Sequence, residues 1–383
     1  MTAAALRHLV RPLDAAPPAH DFLWGDKSMK RWLAIFLFAT FATLGVAQEH
    51  SKNHQPTLTP QNSGTTNRLQ AVSPVNSDVV WASGLGGTFA VTTDGGETWK
   101  AGVVPGAETL QFRDVQGVSR KVAYLLSSGT GTDSRIYKTV DGGVTWTMQF
   151  QASNPNDFYD CFAFWTPKRG ILQGDAVNGK FPDLRTTDGV TWEDISNNLP
   201  PALPSEGSFA ASGTCVATQG ARNAWIATSG GTLARILATR DGGETWNAYD
   251  TPLVGGTGTA GAFTVAFRDS WNGVVGGGDF VGVGPAAMAK TRDGGQTWML
   301  TNAVPVTGAI FGLSYLSRVE GDEDGEGGHA VLVTGPAGAA WTPDEGNSWF
   351  TLAGVTGYWA VAFASPEAGW LVGTGGRILK ISF

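Results

Sequence analysis

Most of the chain alternates short apolar runs with turns rich in Gly, Asp and Thr. Each unit of about fifty residues contains an apolar strand, a polar turn, a second strand with Gly or Trp, a Gly-rich turn, a third strand, an Asp-containing turn and a fourth strand. Short apolar runs bounded by such turn residues predict β-strands rather than helices. The second strand is clearest at residues 79–83, 224–227 and 369–372. We therefore expect an all-β fold built from repeated four-stranded units.

The turn before the fourth strand carries a nearly constant string, Thr-x-Asp-Gly-Gly-x-Thr-Trp, which occurs six times. The third copy has lost one residue, and the sixth has Glu345 in place of the first Gly. The Asp residues of the string are Asp94, Asp141, Asp188, Asp241, Asp293 and Asp344, and its Trp residues are Trp99, Trp146, Trp192, Trp246, Trp298 and Trp349. Successive Asp residues are 47, 47, 53, 52 and 51 positions apart, a period that fits one four-stranded propeller blade per repeat.

The string predicts a tight hairpin turn. Gly adopts positive φ without strain, and the Asp carboxylate accepts hydrogen bonds from backbone N–H groups of its own turn. The Trp begins the next strand and offers a large apolar side chain for packing between neighbouring sheets. Because the same residues recur in every unit, we interpret the six carboxylates as structural rather than as metal ligands or catalytic acids.

This string resembles the Asp box, or BNR repeat, S/T-x-D-x-G-x-T/S-W, over nearly all of the chain after residue 65. The resemblance implies a β-propeller. A seventh unit follows the sixth string but supplies only three strands, within residues 359–363, 370–373 and 377–383. We predict that a strand from residues 55–67 supplies the fourth and closes the ring. The expected fold is a single seven-bladed β-propeller over residues 48–383.

The first 47 residues do not fit the repeat. Met29 is followed by two basic residues, an apolar run and the small residues Gly-Val-Ala, which is the order of a secretory signal peptide. We interpret residues 29–47 as this signal peptide and residues 1–28 as an upstream start-site artefact; a membrane anchor is the alternative. The mature protein is then expected in the periplasm or secreted, without a membrane span after cleavage.

Two insertions interrupt the period. Residues 193–213 form a Pro-rich connection between the third and fourth units, and residues 320–328 form an acidic loop in the sixth. Asp322, Asp324 and Glu326 alternate as Ca²⁺ ligands do, but the rest of the EF-hand pattern is absent. We expect a solvated hairpin tip there and no metal site.

The charge of the chain limits its partners. The formal net charge is −7, and it becomes −9 when residues 1–47 are removed. Nucleic-acid binding requires a basic surface, so this class of partner is excluded. A neutral or cationic partner is expected.

In a propeller, the connections between blades and the turns between second and third strands lie on one face, called here the loop face, opposite the Asp boxes. Binding sites are expected on the loop face. Aligning the units places one residue of each at the mouth of the central channel, and these residues differ between units: Gln70, Asp114, Asp160, Thr214, Thr264, Gly312 and Trp359. The neighbouring residues Arg113 and Tyr159 and the loop carboxylates Asp175, Glu206 and Asp279 are expected on the same face. The alternative is a mouth whose polar side chains only hold water.

The two cysteines occur at matching places. Cys161 and Cys215 each follow a mouth position in consecutive units, so they are expected on neighbouring inner strands. A disulfide requires Cα atoms within about 7 Å. The sequence leaves open whether these residues form a disulfide or two buried thiols.

Asp-box propellers include sialidases, xyloglucan-type glycosidases, sorting receptors and the plant photosystem II stability/assembly factor-like family. A single propeller after a signal peptide is most similar to the last group, whose bacterial members often carry names such as BNR-repeat glycosyl hydrolase or oxidoreductase. This resemblance implies a non-enzymatic, monomeric binding or scaffold protein that holds a protein segment or a glycan on its loop face. No residue supports a cofactor.

The alternative function is a glycoside hydrolase. Hydrolysis requires two carboxyl groups about 5–5.5 Å apart for retention or about 6.5–9.5 Å apart for inversion, one of them with a raised pKa. The candidates for this pair are Asp114, Asp160, Asp175, Glu206 and Asp279.

Overall fold

The computed structural model describes residues 55–316 and 329–383. In this part of the chain the regular elements are 28 β-strands and three short 3₁₀ turns, Gly131–Asp133, Ser196–Asn198 and Thr374–Gly376. The strands form seven antiparallel sheets of four strands each. The seven-bladed β-propeller expected from the repeat is therefore confirmed.

The strands follow the repeat along the chain. The first strand, β1 (Thr57–Asn62), belongs to blade 7. Blade 1 consists of β2 (Leu69–Pro74), β3 (Val80–Gly84), β4 (Thr88–Thr92) and β5 (Lys100–Val103). Blade 2 consists of β6 (Phe112–Gly117), β7 (Ala123–Ser127), β8 (Arg135–Thr139) and β9 (Thr147–Gln151). Blade 3 consists of β10 (Tyr159–Thr166), β11 (Arg169–Gly174), β12 (Leu184–Thr186) and β13 (Glu193–Asp194).

The second half of the ring repeats this order. Blade 4 consists of β14 (Val216–Gln219), β15 (Asn223–Ala227), β16 (Arg235–Thr239) and β17 (Asn247–Asp250). Blade 5 consists of β18 (Ala260–Phe267), β19 (Gly273–Asp279), β20 (Ala287–Thr291) and β21 (Met299–Leu300). Blade 6 consists of β22 (Gly312–Tyr315), β23 (Val331–Gly335), β24 (Gly338–Thr342) and β25 (Phe350–Thr351). Blade 7 consists of β26 (Tyr358–Ser365), β27 (Ala368–Gly373), β28 (Arg377–Ser382) and β1.

The ring closes within blade 7. Strand β1 pairs antiparallel with β28, from Thr57 opposite Ser382 to Asn62 opposite Arg377. The N-terminal segment thus supplies the strand that the seventh unit lacks, as the sequence predicts. Because this closure hydrogen-bonds the two ends of the described ring to each other, opening it requires breaking a complete strand pair.

Each Asp box is held by its own hydrogen bonds. In the first box, Asp94 Oδ1 accepts from the Thr92 hydroxyl at 2.7 Å and from the Thr98 backbone N–H at 2.9 Å, and Oδ2 accepts from the Thr98 hydroxyl. The hydrogen bond from the Thr98 hydroxyl is the main reason that the pKa of Asp94 falls to about 2. The other five boxes repeat the bonds from the first and last hydroxyl residues. These carboxylates are occupied within their turns.

Neighbouring blades are joined at the boxes. The Trp146 ring lies at 6.1 Å from Trp81 and 5.1 Å from Phe89, both of blade 1. On the third strand of several blades, a cationic side chain also donates to a box carbonyl of the next blade, as Lys138 does to Gly189 at 2.9 Å and Lys380 to Gly95 at 3.0 Å. The box turn therefore serves both its own hairpin and the adjacent blade.

Some predicted features fall outside the described residues. They are the start-site segment 1–28, the signal peptide 29–47 and the acidic loop 320–328. In the part of the chain that the structure describes, no helix has the length and apolar character needed to cross a membrane.

Candidate functional site

The loop-face ends of the inner strands contain a recurring β-bulge. One residue is left out of the strand pairing at Gln70, Arg113, Asp160, Phe263 and Trp359, each between the first residues of its inner strand and the second strand. A bulge places two residues opposite one and turns the extra side chain away from the ladder. These residues surround the channel mouth.

The bulges correct the alignment made from the sequence. Strand pairs can be counted from the Thr of each Asp box toward the channel mouth. By this count, Thr214 of blade 4 and Phe311 of blade 6 fall at the position that the unpaired residue occupies in the other blades. Asp114, Thr264 and Gly312 each lie one residue after this position, so the seven aligned residues do not share one register position. The reason is physical: an unpaired residue shifts the two-residue alternation of a strand, and the apolar pattern does not reveal where the shift occurs.

The connection between blades 3 and 4 covers the channel mouth. We call residues 209–213 of this connection the plug. The carbonyl of Ala210 accepts from Arg113 Nη1 at 3.4 Å, and the carbonyl of Ala211 accepts from Gln70 Nε2 at 3.5 Å. The Ser212 hydroxyl donates to the carbonyl of Phe311 at 2.6 Å. The plug thus contacts blades 1, 2 and 6, and its residues 210–213 are buried.

The plug encloses most of the residues that the sequence places at the mouth. Gln70, Asp114, Asp160 and Thr264 are all buried, while Thr214 and Trp359 are half-buried. The Thr214 and Thr264 hydroxyls are 2.7 Å apart and link blades 4 and 5. The repeat pattern identifies residues 193–213 only as an insertion and does not indicate this role. The run of small residues after Phe209 was the one available signal.

A central cavity lies beneath the plug. Its volume is about 440 Å³, and its lining includes Ser212 and Gly213 near the loop face and Gln219 and Arg268 near the Asp-box face. The inner strands supply most of the remaining lining. Ser212 and Gly213 of the plug therefore line the loop-face end of this cavity.

Three of the five candidate carboxylates have structural partners. Asp114 accepts from the backbone N–H groups of Val115 at 2.7 Å and Phe162 at 2.8 Å. Glu206 forms a buried ion pair with Arg235, with Arg235 Nε 2.8 Å from Glu206 Oε1. Asp279 accepts from the backbone N–H of Val281 at 3.1 Å, and hydrogen bonds, first that from the Thr259 hydroxyl, lower its pKa.

The remaining two, Asp160 and Asp175, lie together in blade 3. Asp175 Oδ1 accepts from the Ser208 backbone N–H at 3.0 Å, whereas Asp160 Oδ2 is buried without a hydrogen-bond partner among the described residues. Burial, followed by the nearby charge of Asp175, raises the pKa of Asp160 well above its usual range. Burial also raises the pKa of Asp175. This is the carboxyl pair that the structure brings together.

Cys161 and Cys215 form a disulfide, with their Cα atoms 5.9 Å apart. The bond joins the inner strand of blade 3 to the chain entering blade 4, directly after the plug. Tyr159, in contrast, packs its buried ring against Phe150 at 5.5 Å, and burial raises its pKa. It belongs to the core of blade 2 and blade 3 rather than to the exposed face.

Aromatic side chains form a continuous row across the plug. Phe280 lies 4.9 Å from Phe209, Phe209 lies 5.3 Å from Phe311, and Phe311 lies 5.1 Å from Trp359. We call these four residues the aromatic row. Arg68 stacks over the Trp359 ring at 4.2 Å and ends the row at blade 1. Of this set, the sequence predicts only Trp359 as a mouth residue. The others follow from the bulge register and from the fold of the plug, which the repeat does not encode.

The two ends of the row differ in character. Beyond Phe280, the side chains of Val281 and Val283 are 68% and 94% exposed. At the other end, burial and, to a smaller extent, the charge of Arg68 lower the pKa of Arg113, and neither arginine forms a salt bridge within residues 55–316 and 329–383. Within the same ranges, no group of three or more His, Cys, Asp or Glu is arranged to hold a metal ion.

The repeated boxes and the closed ring define an Asp-box (BNR) repeat β-propeller with seven blades. The BNR/Asp-box repeat family model matches residues 90–101, which contain the first box. No curated protein matches the chain in sequence.

Known structures share this fold. A structure described as YCF48 bound to D1 peptide matches with a TM-score of 0.56 and 16% identity, over 86% of this chain and 97% of that chain. YCF48 from Cyanidioschyzon merolae matches with a TM-score of 0.61 and 15% identity, over 85% of this chain and 98% of that chain. The GH74 enzyme of Niastella koreensis matches with a TM-score of 0.57 and 17% identity, over 84% of this chain and 53% of that chain.

Proposed function

We propose that this protein is a non-enzymatic binding scaffold that holds an extended segment of another protein across its loop face. The observation that carries the proposal is the aromatic row, which crosses the plug from Phe280 to Trp359 and ends at Arg68. Aromatic and Arg side chains supply most of the binding energy at protein interfaces because they bury a large area while losing little conformational freedom.

The two ends of the row favour a segment with two kinds of contact. The exposed valines beside Phe280 favour apolar side chains, and Arg68 and Arg113 favour a carboxylate. The structure of YCF48, which shares this fold, has been determined with a D1 peptide bound. The similarity in fold supports a peptide ligand here without identifying its sequence.

The proposal can be tested with peptides selected from a random phage-displayed library on the full chain. The best synthetic peptide should bind the Trp359→Ala and Phe280→Ala variants at least tenfold more weakly than the unchanged protein. Trp271→Ala is the matched control, because Trp271 is 56% exposed and lies in the turn between β18 and β19, beside the Asp boxes. Equal losses in Trp359→Ala and Trp271→Ala, or selection of no binding peptide, would contradict the proposal.

A glycan is the alternative ligand of the same row, since sugar rings also stack on aromatic side chains. Glycoside hydrolysis is the alternative activity, supported by the GH74 fold similarity and by the Asp160–Asp175 pair with its raised pKa values. The plug favours binding over hydrolysis, because Asp160 is only 1% exposed beneath it. Release of reducing sugar from a polysaccharide panel, abolished by Asp160→Asn, would establish the hydrolase instead.

We further propose that the mature protein is exported and monomeric. Export rests on the pattern of residues 29–47, and the propeller is complete within one chain because β1 closes blade 7. Mass spectrometry of the natural protein should show an N-terminus near residue 48, and a chain beginning at residue 1 would contradict this interpretation. Light scattering should give the mass of one chain.

A further inference from the structure

The chain that leads into the plug is held firmly up to Ser208. Gly207 and Ser229 exchange backbone hydrogen bonds at 3.0 and 2.8 Å, and the Ser208 hydroxyl donates to the carbonyl of Ala227 at 2.7 Å. Ala227 ends β15, and Ser229 lies in the turn that follows it. The N-terminal end of the plug is therefore fixed to blade 4.

The plug itself has few anchors. Within residues 55–316 and 329–383, the only plug backbone N–H that donates a hydrogen bond is that of Ala211, to the carbonyl of Phe209 at 2.7 Å. The bonds to the carbonyls of Ala210 and Ala211, at 3.4 and 3.5 Å, are long, and only the bond from Ser212 to Phe311 is short. Phe209 is the one large side chain of the plug. The position of the plug therefore depends on what holds its C-terminal end.

The disulfide holds that end. Cys215 follows the plug after Thr214, and its bond to Cys161 brings the two Cα atoms to 5.9 Å. The carbonyl of Cys215 accepts from the backbone N–H of Ala227 at 2.8 Å, so its backbone belongs to blade 4. Cys161 lies on β10 of blade 3, one residue after the bulge at Asp160. The disulfide thus joins blades 3 and 4 directly beside the plug.

Hydrogen bonds join the same two blades at the opposite end of their inner strands. The Thr218 hydroxyl donates to the carbonyl of Phe164 at 3.0 Å, and the indole N–H of Trp165 donates to the carbonyl of Asn223 at 2.6 Å. These contacts lie toward the Asp-box face and do not depend on the disulfide. Loss of the disulfide should therefore loosen the loop-face end of this junction and leave the ring intact.

The state of the disulfide is set while the chain folds. Cys161 and Cys215 are both fully buried in the folded protein, and thiol–disulfide exchange requires a thiolate to reach one of the sulfur atoms. The sequence contains no third Cys that could exchange with the bond. Disulfides form in oxidising compartments, and the pattern of residues 29–47 predicts export to one.

We propose that oxidation of Cys161 and Cys215 during folding seats the plug and completes the aromatic row, so that ligand binding depends on the compartment in which the chain folds. The two thiols form one S–S bond and pass two electrons and two protons to a disulfide oxidant such as oxidised glutathione, which becomes two thiols. Without the bond, the plug leaves the channel mouth and Phe209 leaves the aromatic row. The effect on binding rests on the proposed function, whereas the release of the plug does not.

Elastase cleavage of the folded full chain tests the release of the plug. The unchanged chain is refolded from urea either in a glutathione redox buffer or with dithiothreitol, which is removed before digestion. Cys161→Ala/Cys215→Ala supplies a form that cannot make the bond. Elastase cleaves after small apolar residues, so cuts after Ala210 and Ala211 can be quantified by mass spectrometry. Both forms without the bond should be cut there about tenfold faster than the oxidised form, because cleavage requires local opening.

Two other sites in the same digests are the controls. Val283, in the exposed turn of blade 5, should be cut at the same rate in all three forms, while Val372, fully buried in β27, should stay uncut while the plug is cut. Equal cleavage of the plug in the oxidised and reduced forms would overturn the proposal. So would cuts after Val372 that appear as fast as those in the plug, or a reduced chain without a cooperative unfolding transition, because the proposal requires an intact ring.

Peptide binding tests the consequence for the aromatic row. The best synthetic peptide selected on the oxidised chain should bind both forms without the bond about tenfold more weakly. Equal affinity for a form whose plug is released would show that the disulfide does not control binding. If no peptide can be selected, the proposed function fails, and elastase cleavage still decides whether the disulfide seats the plug.

Discussion

Asp114 Oδ2 accepts a hydrogen bond from the backbone N–H of Phe162 at 2.8 Å, which ties the inner strand of blade 2 to that of blade 3. Inner strands have a free edge toward the channel, so their backbone groups have no ladder partner on that side. The carboxyl group of Asp114 supplies such a partner and also accepts from the Val115 N–H at 2.7 Å. A carboxylate that the sequence offers as a catalytic candidate is thus a link between blades.

Removing this link should destabilise the propeller. In Asp114→Ala the N–H groups of Phe162 and Val115 lose a buried acceptor, and each unsatisfied buried group costs about 1–3 kcal/mol. We expect a loss of about 2–6 kcal/mol in urea unfolding. Asp279→Ala, which removes a carboxylate at an exposed turn, is the control and should change the stability far less. Equal stability of Asp114→Ala and the unchanged protein would contradict the structural role.

The disulfide should contribute strongly to stability. Cys161 and Cys215 are separated by 54 positions, and closing a loop of this length restricts the unfolded chain by about 4 kcal/mol in the chain-entropy estimate. We expect reductant to lower the urea midpoint of the unchanged protein. The double variant Cys161→Ala/Cys215→Ala should already have a low midpoint and should not respond to reductant. A midpoint unaffected by reductant would show that the bond adds nothing to stability.

Buried Asp183 should make the stability depend on pH. Burial raises its pKa well above the usual range, so the folded state binds the proton more tightly than the unfolded state. The contribution of such a group is present below the unfolded pKa of about 3.9 and is lost as the pH rises toward the folded pKa. Asp183→Asn should therefore match the unchanged protein near pH 4 and exceed its stability at pH 7.

The comparison of these two proteins needs unfolding curves at both pH values. Asn keeps an oxygen for the Gly174 N–H, which Asp183 Oδ1 accepts at 3.2 Å, so the hydrogen bond itself is not the variable. If Asp183→Asn is less stable than the unchanged protein by the same amount at both pH values, ionisation of Asp183 does not limit stability.

The sequence predicts the ring because its physical signals are local and repeated. A box such as Thr92–Trp99 specifies a hairpin through bonds between residues at most four positions apart, and six copies with one period specify the blades. The closing strand follows from counting strands. The plug does not follow, because Phe209 and Ser212 contact residues of other blades that lie far away along the chain. The positions of the bulges likewise do not follow from the sequence, because an inserted residue leaves the apolar pattern almost unchanged.

The sixth box departs from the repeat at Glu345, and this departure carries its own prediction. Glu345 has φ of 52°, the left-handed region that favours glycine, yet its side chain is buried. Its Oε1 accepts from Arg268 Nε at 2.9 Å and from the Tyr315 hydroxyl at 3.0 Å. The charge of Glu345 and its hydrogen bond also contribute to the raised pKa of Tyr315, after burial. Glu345 thus joins blades 5 and 6. A Gly at this position would only relieve the backbone strain of the turn.

Restoring the repeat at this position should therefore weaken the protein. Glu345→Gly removes backbone strain of about 1–2 kcal/mol, but it leaves Arg268 and Tyr315 without their shared acceptor, and hydrogen bonds to a charged group contribute about 1.5–3 kcal/mol each. We expect a net loss of about 1–5 kcal/mol in urea unfolding. Glu345→Gln keeps an oxygen acceptor and the same backbone, so it should lose less than Glu345→Gly. A Glu345→Gly variant more stable than the unchanged protein would show that backbone strain outweighs the link between the blades.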